Sequence, residues 1–236
     1  MLLHGWGMHG GVWKAVSESL AARFRVHLVD LPGHGLSPSC NEDWVDLLAE
    51  TFPHEVFVCG WSLGGQLAME WAWKYPERIP ALALISCTPS FVERKDWMRG
   101  IGIKVFEAFR SGLEKDVEAT LKRFLFLQAQ GGKDEKTLFR TLQHELKEAD
   151  KEGLEKGLEL LGTIDLREKA RTLAQPVLLI HGGEDRLIPL NAAKWLSENM
   201  QHAQLEVIPD CAHAPIISHP DFCISRLLEF LHGLSD

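Results

Sequence analysis

Short apolar runs alternate with longer amphipathic stretches over most of this chain. The runs are rich in Val, Ile and Leu and end at turn residues, which is typical of strands. The predicted strands lie within residues 24–33, 55–62, 79–87, 176–185 and 205–213. Because these runs are almost continuously apolar, they indicate a parallel sheet that is covered on both faces.

Helix-like stretches, such as residues 64–75 and 190–200, separate several of the strands. This alternation predicts an open, doubly wound α/β fold with a mostly parallel sheet. Residues 89–171 break the rhythm with helix-like stretches alone, around 102–116, 117–130, 134–149 and 152–161. We predict a helical cap over 89–171, inserted into an α/β core of residues 1–88 and 172–236. The alternative is that these are ordinary helices of the core.

Charge is distributed unevenly between the predicted cap and the core. The 236 residues carry a net charge of −8, which argues against non-specific binding to nucleic acid. Residues 94–140, in contrast, contain 11 basic and 7 acidic side chains. Basic patches of this kind mainly steer the approach of a charged partner, but a solvated helix face has the same composition.

The five cysteines, Cys40, Cys59, Cys87, Cys211 and Cys223, are widely spaced and include no C-x-x-C pair. Disulfides and structural zinc are therefore not expected, and a reducing environment fits better. No apolar stretch approaches the roughly 20 residues of a membrane span, and the N-terminus lacks the features of a signal peptide. We expect a cytoplasmic monomer that needs neither a metal nor an organic cofactor.

A glycine-rich turn after the predicted strand 55–62 provides the first candidate for chemistry. Residues 60–64, Gly-Trp-Ser-Leu-Gly, fit G-x-S-x-G, in which a serine lies at a sharp strand-to-helix turn. The surrounding glycines lack the Cβ atoms that would clash in such a turn. The free N–H groups of the following helix face any negative charge that develops there. Ser62 is therefore the candidate nucleophile, and the alternative is a solvated serine in a glycine-rich turn.

A serine nucleophile needs a base, and the base needs an orienting acid, in the chain order Ser, acid, His. Asp185 follows turn glycines at the end of a strand and is the candidate acid. Glu184 is its competitor, and a helix-capping role for Asp185 is the alternative. His213 follows the last predicted strand among small residues, and we prefer it as the base to His219.

Attack on a carbonyl creates an oxyanion, which two backbone N–H groups should stabilise. Leu63, the residue after the nucleophile, supplies the first. The loop "HGWG" supplies the second, which we assign to Trp6; its side chain could also wall an acyl pocket or pack beneath the cap. His4, His34 and His181 lie near strand ends and could line the cleft.

The chain resembles the α/β-hydrolase family through "LLHGWGM", "HLVDLPGHGLS", "GWSLGG", "PERIPAL", "RFLFLQ", "GLELLGTIDLR" and "AHAPIISHP", which cover the core and much of the cap. Within that family it resembles the carboxylesterases of biotin synthesis, which act on pimeloyl-[acyl-carrier protein] methyl ester. The motifs "GWSLGG", "RFLFLQ" and "AHAPIISHP" are more specific than G-x-S-x-G, which many hydrolases share. The resemblance implies an α/β-hydrolase fold and a serine esterase that forms an acyl-enzyme.

The resemblance also implies roles for individual residues. The implied catalytic residues are Ser62, Asp185 and His213. The implied substrate contacts are Trp6, Ser62, Leu63, Phe124, Leu125, Phe126, Leu127, Gln128 and His213. The implied contacts with the acidic acyl-carrier protein are Arg123, Lys136 and Arg140.

Three other functions stay open. They are a general short-chain esterase, a carbon–carbon lyase like the menaquinone-pathway synthase of this fold, and a non-catalytic ligand receptor. The lyase uses the same three residue types. A receptor could dispense with Ser62, Asp185 and His213, so their presence argues against it.

The beginning of the chain departs from the family pattern. The family normally has one or two strands before the "LLHGWG" strand, within which this chain starts. Either the start is trimmed or misassigned, or the sheet edge is shorter, and we expect weak pairing of residues 1–3.

Overall fold

Six parallel strands form one sheet in the computed structural model, which describes residues 1–146 and 149–234. The strands are β1 Leu2–Leu3, β2 Leu28–Val29, β3 Val58–Trp61, β4 Leu82–Ile85, β5 Val177–Gly182 and β6 Ala203–Ile208. Their order across the sheet is β2-β1-β3-β4-β5-β6. Every neighbouring pair is parallel, so the loops that follow the strands meet at one edge of the sheet. The predicted parallel α/β fold is confirmed.

Helices connect the strands and form the remaining layers. Within the described residues the α-helices are α1 Lys14–Leu20, α2 Trp44–Thr51, α3 Leu63–Lys74, α4 Ile103–Lys115, α5 Val117–Ala129, α6 Glu135–His144, α7 Lys151–Thr163, α8 Arg167–Thr172, α9 Leu190–Asn199, α10 Pro215–Ser218 and α11 Pro220–Gly233. Two 3-10 helices are Gly10–Trp13 and Pro76–Arg78. None of these helices is long and apolar enough to cross a bilayer. Residues 147 and 148 of the predicted helix 134–149 lie outside the described residues.

The alternation of side chains along the strands divides the core into two apolar clusters. In β5, Val177 and Leu179 belong to a cluster that includes buried residues of α2, α3 and α9. Leu178 and Ile180 belong to the other cluster, which includes buried residues of α1 and α11. Because successive side chains of a strand point to opposite faces, both faces of the sheet are covered, as a doubly wound fold requires.

Aspartate side chains begin three of the helices. Asp43 accepts hydrogen bonds from the N–H groups of Val45 and Asp46 at 3.0 Å, at the start of α2. Asp116 begins α5 and Asp150 begins α7 in the same way. Each carboxylate satisfies N–H groups that lack a partner in the first turn of a helix, which explains where the helices start.

Two predicted strands differ from the structure in their extent. Only Leu28–Val29 of residues 24–33 is a strand, at the edge of the described sheet, where β1 is its neighbour. The strand predicted over 205–213 starts at Ala203 and ends at Ile208. It ends there because Pro209 has no N–H group for the sheet. The residues after it form the loop that carries His213.

The first strand is short but lies inside the sheet. Leu2 and Leu3 pair with both β2 and β3, two residues on each side. The N–H of Cys59 in β3 also donates to the carbonyl of Met1 at 2.9 Å. The loop with Trp6 therefore follows an interior strand.

Helices α4–α7, between β4 and β5, contact one another, and α5 and α7 also contact the loops that follow the strands. Trp6, after β1, donates from Nε1 to the carbonyl of Leu154 in α7 at 2.8 Å. His213, after β6, donates its backbone N–H to the carbonyl of Gln128 in α5 at 3.1 Å. Helix α8, at the end of the predicted cap range 89–171, contacts α3 and α9 instead. We therefore propose that α4–α7 form the cap layer.

Gly60→Ala is expected to destabilise the fold, because its Cβ would clash with the backbone of Gly64 and Gly65. We expect the free energy of unfolding to fall by about 1–3 kcal/mol, since a backbone cannot rotate away as a side chain can. Gly233→Ala in α11 is the matched control, because no described atom lies within 4 Å of its added Cβ. Urea unfolding measures both variants, and unchanged stability of Gly60→Ala would contradict the packing of this turn.

Candidate active site

Ser62 lies in a strained turn between β3 and α3. Its backbone has φ 55° and ψ −116°, a conformation that residues with a side chain rarely adopt. Its N–H donates to the carbonyl of Ile85 at 3.0 Å, and its own carbonyl accepts from Gly65 at 3.0 Å. The bare surface of Gly60 lets α3 approach β3 closely enough for this turn. The geometry is that of a nucleophile elbow.

Asp185 lies in the loop after β5 and is buried. Its Oδ1 accepts hydrogen bonds from the N–H groups of Leu187 (2.9 Å) and Ile188 (2.8 Å). Burial alone would raise the pKa of Asp185, but the adjacent His213, together with His181 and the hydrogen bond from the N–H of Ile188, holds the pKa below its ordinary value. The carboxylate therefore stays ionised. Glu184, its competitor, pairs with Arg186 at 3.0 Å instead.

His213 lies in the loop after β6 and is fully buried. Its Nδ1 forms a 2.7 Å hydrogen bond with Oδ2 of Asp185, in which the ring nitrogen donates to the carboxylate. Its carbonyl accepts from Nε1 of Trp61, the residue before Ser62, at 2.8 Å, so the two loops adjoin. Nε2 is buried and has no hydrogen-bond partner, Ser62 included, in the part of the chain that the structure describes. This nitrogen is left available to accept a proton.

His219, the other candidate base, is placed differently. Its Nδ1 hydrogen-bonds to the hydroxyl of Ser218 at 2.9 Å, and no contact with Asp185 is found in the described chain. The structure thus brings His213, and not His219, to the predicted acid.

The N–H groups of Trp6 and Leu63 are both free of backbone acceptors among the described residues. Leu63 is the first residue of α3, where an N–H has no partner within the helix. Both residues are fully buried. These two unpaired, buried N–H groups, one in the loop after β1 and one at the start of α3 next to Ser62, are available to bind a developing negative charge.

His4 and His34 hold the loop that carries Trp6. His4 donates from Nδ1 to the carbonyl of Gly5 (2.8 Å) and accepts from the N–H of Leu31 (2.9 Å). His34 donates from Nδ1 to a carbonyl and accepts from the N–H of Gly7 at 3.3 Å. Each ring must be neutral to do both.

Burial lowers the pKa of both rings, and for His4 the neighbouring His34 lowers it further. These histidines therefore support the site through hydrogen bonds to the loops. The third one, His181, is buried and bonds from Nε2 to the carbonyl of Ile188 at 2.9 Å, in the segment that follows Asp185. From the sequence we expected that His4, His34 and His181 could line the cleft. Their hydrogen bonds to the loops were not predicted.

The residues of α5 that the resemblance assigns to substrate face different surroundings. Phe124 is buried and meets the Trp6 ring edge-on, with ring centroids 4.7 Å apart. Gln128 is buried, and its backbone carbonyl accepts a hydrogen bond from the backbone N–H of His213. Phe126 is 49% exposed and packs on Phe139, so it lies on another side of the helix. Leu125 is buried in the other apolar cluster and Leu127 is partly buried.

The residues assigned to the carrier protein are all exposed on the cap. Lys136 and Arg140 lie one turn apart on α6. Arg123 lies on α5, with its guanidinium 5.2 Å from the centre of the Phe109 ring. Helices α5 and α6 are in contact, but the three side chains form no ion pair within the described chain.

Ser86 is a residue that the sequence patterns did not single out. It follows β4, has a positive φ of 44°, and its buried hydroxyl has no partner in the described residues. A serine at a strand end gives no signal of this conformation. No group of three or more His, Cys, Asp or Glu side chains that could hold a metal occurs in the described regions.

Residues 1–226 match the model of the family described as "Alpha/beta hydrolase family". The chain belongs to the alpha/beta hydrolase family, which confirms the resemblance. Proteins named pimeloyl-[acyl-carrier protein] methyl ester esterase, from Nitrosospira multiformis and Nitrosomonas europaea, are each 42% identical to it. The first comparison covers 98% of this chain and 93% of the relative, and the second covers 95% and 92%.

Solved structures support the fold. An esterase from Exiguobacterium antarcticum and a bromoperoxidase from Bacillus anthracis both have TM-scores of 0.89, at 21% and 24% identity. Each comparison covers 98% of this chain and 90% of the other chain. Because proteins named for different reactions share the fold, the likeness does not select a reaction.

Lowering the pH below about 6.5 should weaken the fold, because the buried histidines resist protonation. The unfolded chain takes up protons near pH 6.5, whereas His4, His34 and His181 have lowered pKa values in the folded state. Their contribution is therefore complete above that pH and is lost below it. Each adds a slope of up to about 1.4 kcal/mol per pH unit.

Urea unfolding at pH 7.5, 6.5 and 5.5 measures this slope. His34→Gln should reduce the slope below pH 6.5, because one buried imidazole is gone. A slope that is the same with and without this imidazole would contradict the neutral state of His34.

Proposed function

We propose that this protein is a serine carboxylesterase that hydrolyses pimeloyl-[acyl-carrier protein] methyl ester to pimeloyl-[acyl-carrier protein] and methanol in biotin synthesis. The observation that carries the proposal is the buried hydrogen bond between His213 and Asp185, next to the strained turn of Ser62. The choice of substrate is supported by the relatives named for it, which are 42% identical over nearly the whole chain.

In this mechanism Nε2 of His213 takes the hydroxyl proton of Ser62, and the serine oxygen attacks the ester carbonyl carbon. Asp185 orients the imidazole through Nδ1 and stabilises its charged form. The N–H groups of Leu63 and Trp6 bind the oxyanion. The intermediate collapses to an acyl-enzyme as His213 protonates the departing methanol. Water, activated by the same imidazole, then releases the acid and restores Ser62.

Entry of the substrate requires part of the cap to move. Ser62 is 3% exposed and His213 is 0% exposed, so this conformation is closed to bulk solvent. We assign the acyl chain to the apolar side of α5 that faces Trp6, where Phe124 lies. Phe126 points to another surface, so a direct contact with the acyl chain would need a rotation of α5.

The carrier protein would approach the basic surface of the cap. Arg123, Lys136 and Arg140 are exposed and lie on adjacent helices. The segment 94–140 has an excess of basic residues in a chain whose net charge is −8. This local positive charge would attract an acidic carrier that the rest of the surface repels, which raises the rate of encounter and makes it sensitive to salt.

Ser62→Ala should lose methanol release from the carrier-bound ester by about 10³-fold or more, because the nucleophile is missing. The same variant should escape labelling by a fluorophosphonate, which should transfer its phosphonyl group to the Ser62 oxygen of the wild type with loss of fluoride and the hydroxyl proton. Mass spectrometry and methanol assays measure both.

Failure of the wild type to be labelled or to release methanol would refute the esterase and favour a receptor. Turnover of a lyase substrate with cleavage of a carbon–carbon bond would favour the lyase.

Charge reversal on the cap should affect the carrier-bound ester alone. The triple variant Arg123→Glu, Lys136→Glu and Arg140→Glu should lower kcat/KM for that ester by roughly 10-fold or more at low salt, because steering is lost. Hydrolysis of free methyl pimelate should stay unchanged. Lys194→Glu, an exposed lysine on α9, is the matched control. Equal effects on both esters, or none, would favour a general short-chain esterase.

A further inference from the structure

Gly157 occupies the interior of cap helix α7 and is buried. Glycine is a poor helix former, and alanine is the best one. A glycine inside α7 therefore destabilises the helix. We look for the reason for its presence in the residues that surround it.

Gly157 lies against Trp6, in the loop after β1, and Leu63, the residue after Ser62. An added Cβ would lie 2.8 Å from Cδ1 and 3.3 Å from Nε1 of Trp6, and 3.4 Å from Cδ2 of Leu63. The shortest of these distances is below any that a real Cβ tolerates, so a side chain at 157 would force a displacement. Trp6 and Leu63 are the residues whose N–H groups we assign to the oxyanion.

Trp6 has no room to move away from such a side chain. Its indole is fully buried and donates from Nε1 to the carbonyl of Leu154, one turn before Gly157 in the same helix. Phe124 meets the ring edge-on from α5. The backbone next to Trp6 is also held, because the N–H of Gly7 donates to Nε2 of His34. Displacement of the indole must therefore move the Trp6 loop or lift α7.

We infer that Gly157 is a positioning residue of the oxyanion hole. Its bare surface lets α7 lie directly on Trp6 and Leu63, while the carbonyl of Leu154 holds the indole. Closure of the cap and alignment of the Trp6 N–H are then one event, so an open cap leaves the hole incomplete. The inference rests on the proposed function, since it takes the oxyanion roles of Trp6 and Leu63 from it.

Gly157→Ala is the test. The added methyl group should lower kcat for p-nitrophenyl acetate and for methyl pimelate alike, by about 10- to 100-fold, because the Trp6 N–H is displaced. The affinity for a trifluoromethyl ketone, which forms a tetrahedral adduct with serine, should fall by a similar factor. The affinity for the neutral N-methyl amide of the same acid, which forms no tetrahedral adduct, should stay within about twofold, since its planar carbonyl carries no full negative charge.

Gly162→Ala is the matched control. It is the same substitution in the same helix, and its Cβ would lie 2.6 Å from Cζ of the Phe106 ring, away from Trp6 and Leu63. It should keep kcat and ketone affinity within about threefold of the wild type. Thermal unfolding of both variants reports whether they remain folded.

Trp6→Phe is the second variant, for the case in which Gly157→Ala does not fold. It keeps an aromatic ring but loses the Nε1–H that binds Leu154, so it should show the same joint loss of kcat and ketone affinity.

Wild-type values for either variant would overturn the inference. A loss confined to methyl pimelate would also overturn it, because the methyl group would then narrow the acyl site. An equal loss of kcat and ketone affinity in Gly162→Ala would also overturn the inference, because it would show that any disturbance of α7 lowers both. If the wild type itself hydrolyses neither ester, the proposed function has failed instead.

Discussion

The hydrogen bond between Nδ1 of His213 and Oδ2 of Asp185 joins two loops whose residues are 28 positions apart, and both side chains are buried. A buried carboxylate is costly unless it is bonded, and two backbone N–H groups satisfy its other oxygen. Because the acid occupies Nδ1, the imidazole is fixed in orientation and Nε2 is left for a proton. A serine hydroxyl is a weak nucleophile by itself, so the chemistry proposed for Ser62 depends on this pair.

Helices α5 and α7 contribute to the geometry of this site. Helix α5 accepts the backbone N–H of His213 at Gln128, and α7 accepts the indole N–H of Trp6 at Leu154. One bond reaches the loop that carries His213, and the other reaches the loop that carries Trp6. Two helices of the proposed cap thus hold both loops. A substrate that displaces the cap to enter must allow these contacts to form again before reaction.

The strands and the serine turn could be predicted because their signals are local. An apolar run between turn residues marks a strand, and glycines around Ser62 mark the elbow. The pairing of Asp185 with His213 could be predicted from chain order and from their positions after strands, which a parallel sheet brings to one edge. Other features depend on contacts between distant segments. The different surroundings of Phe124 and Phe126, the proton positions on His4 and His34, and the fit of Gly157 against Trp6 follow from packing that no local pattern encodes.

A crystal structure of the protein with a phosphonate bound covalently to Ser62 tests the central claim most directly. We expect Nε2 of His213 to lie within about 2.6–3.2 Å of the serine oxygen or of the departing-group oxygen. We also expect one phosphonyl oxygen to accept hydrogen bonds from the N–H groups of both Trp6 and Leu63. A structure in which the imidazole stays beyond hydrogen-bond reach of the adduct, with Asp185 still bound to it, would contradict the account.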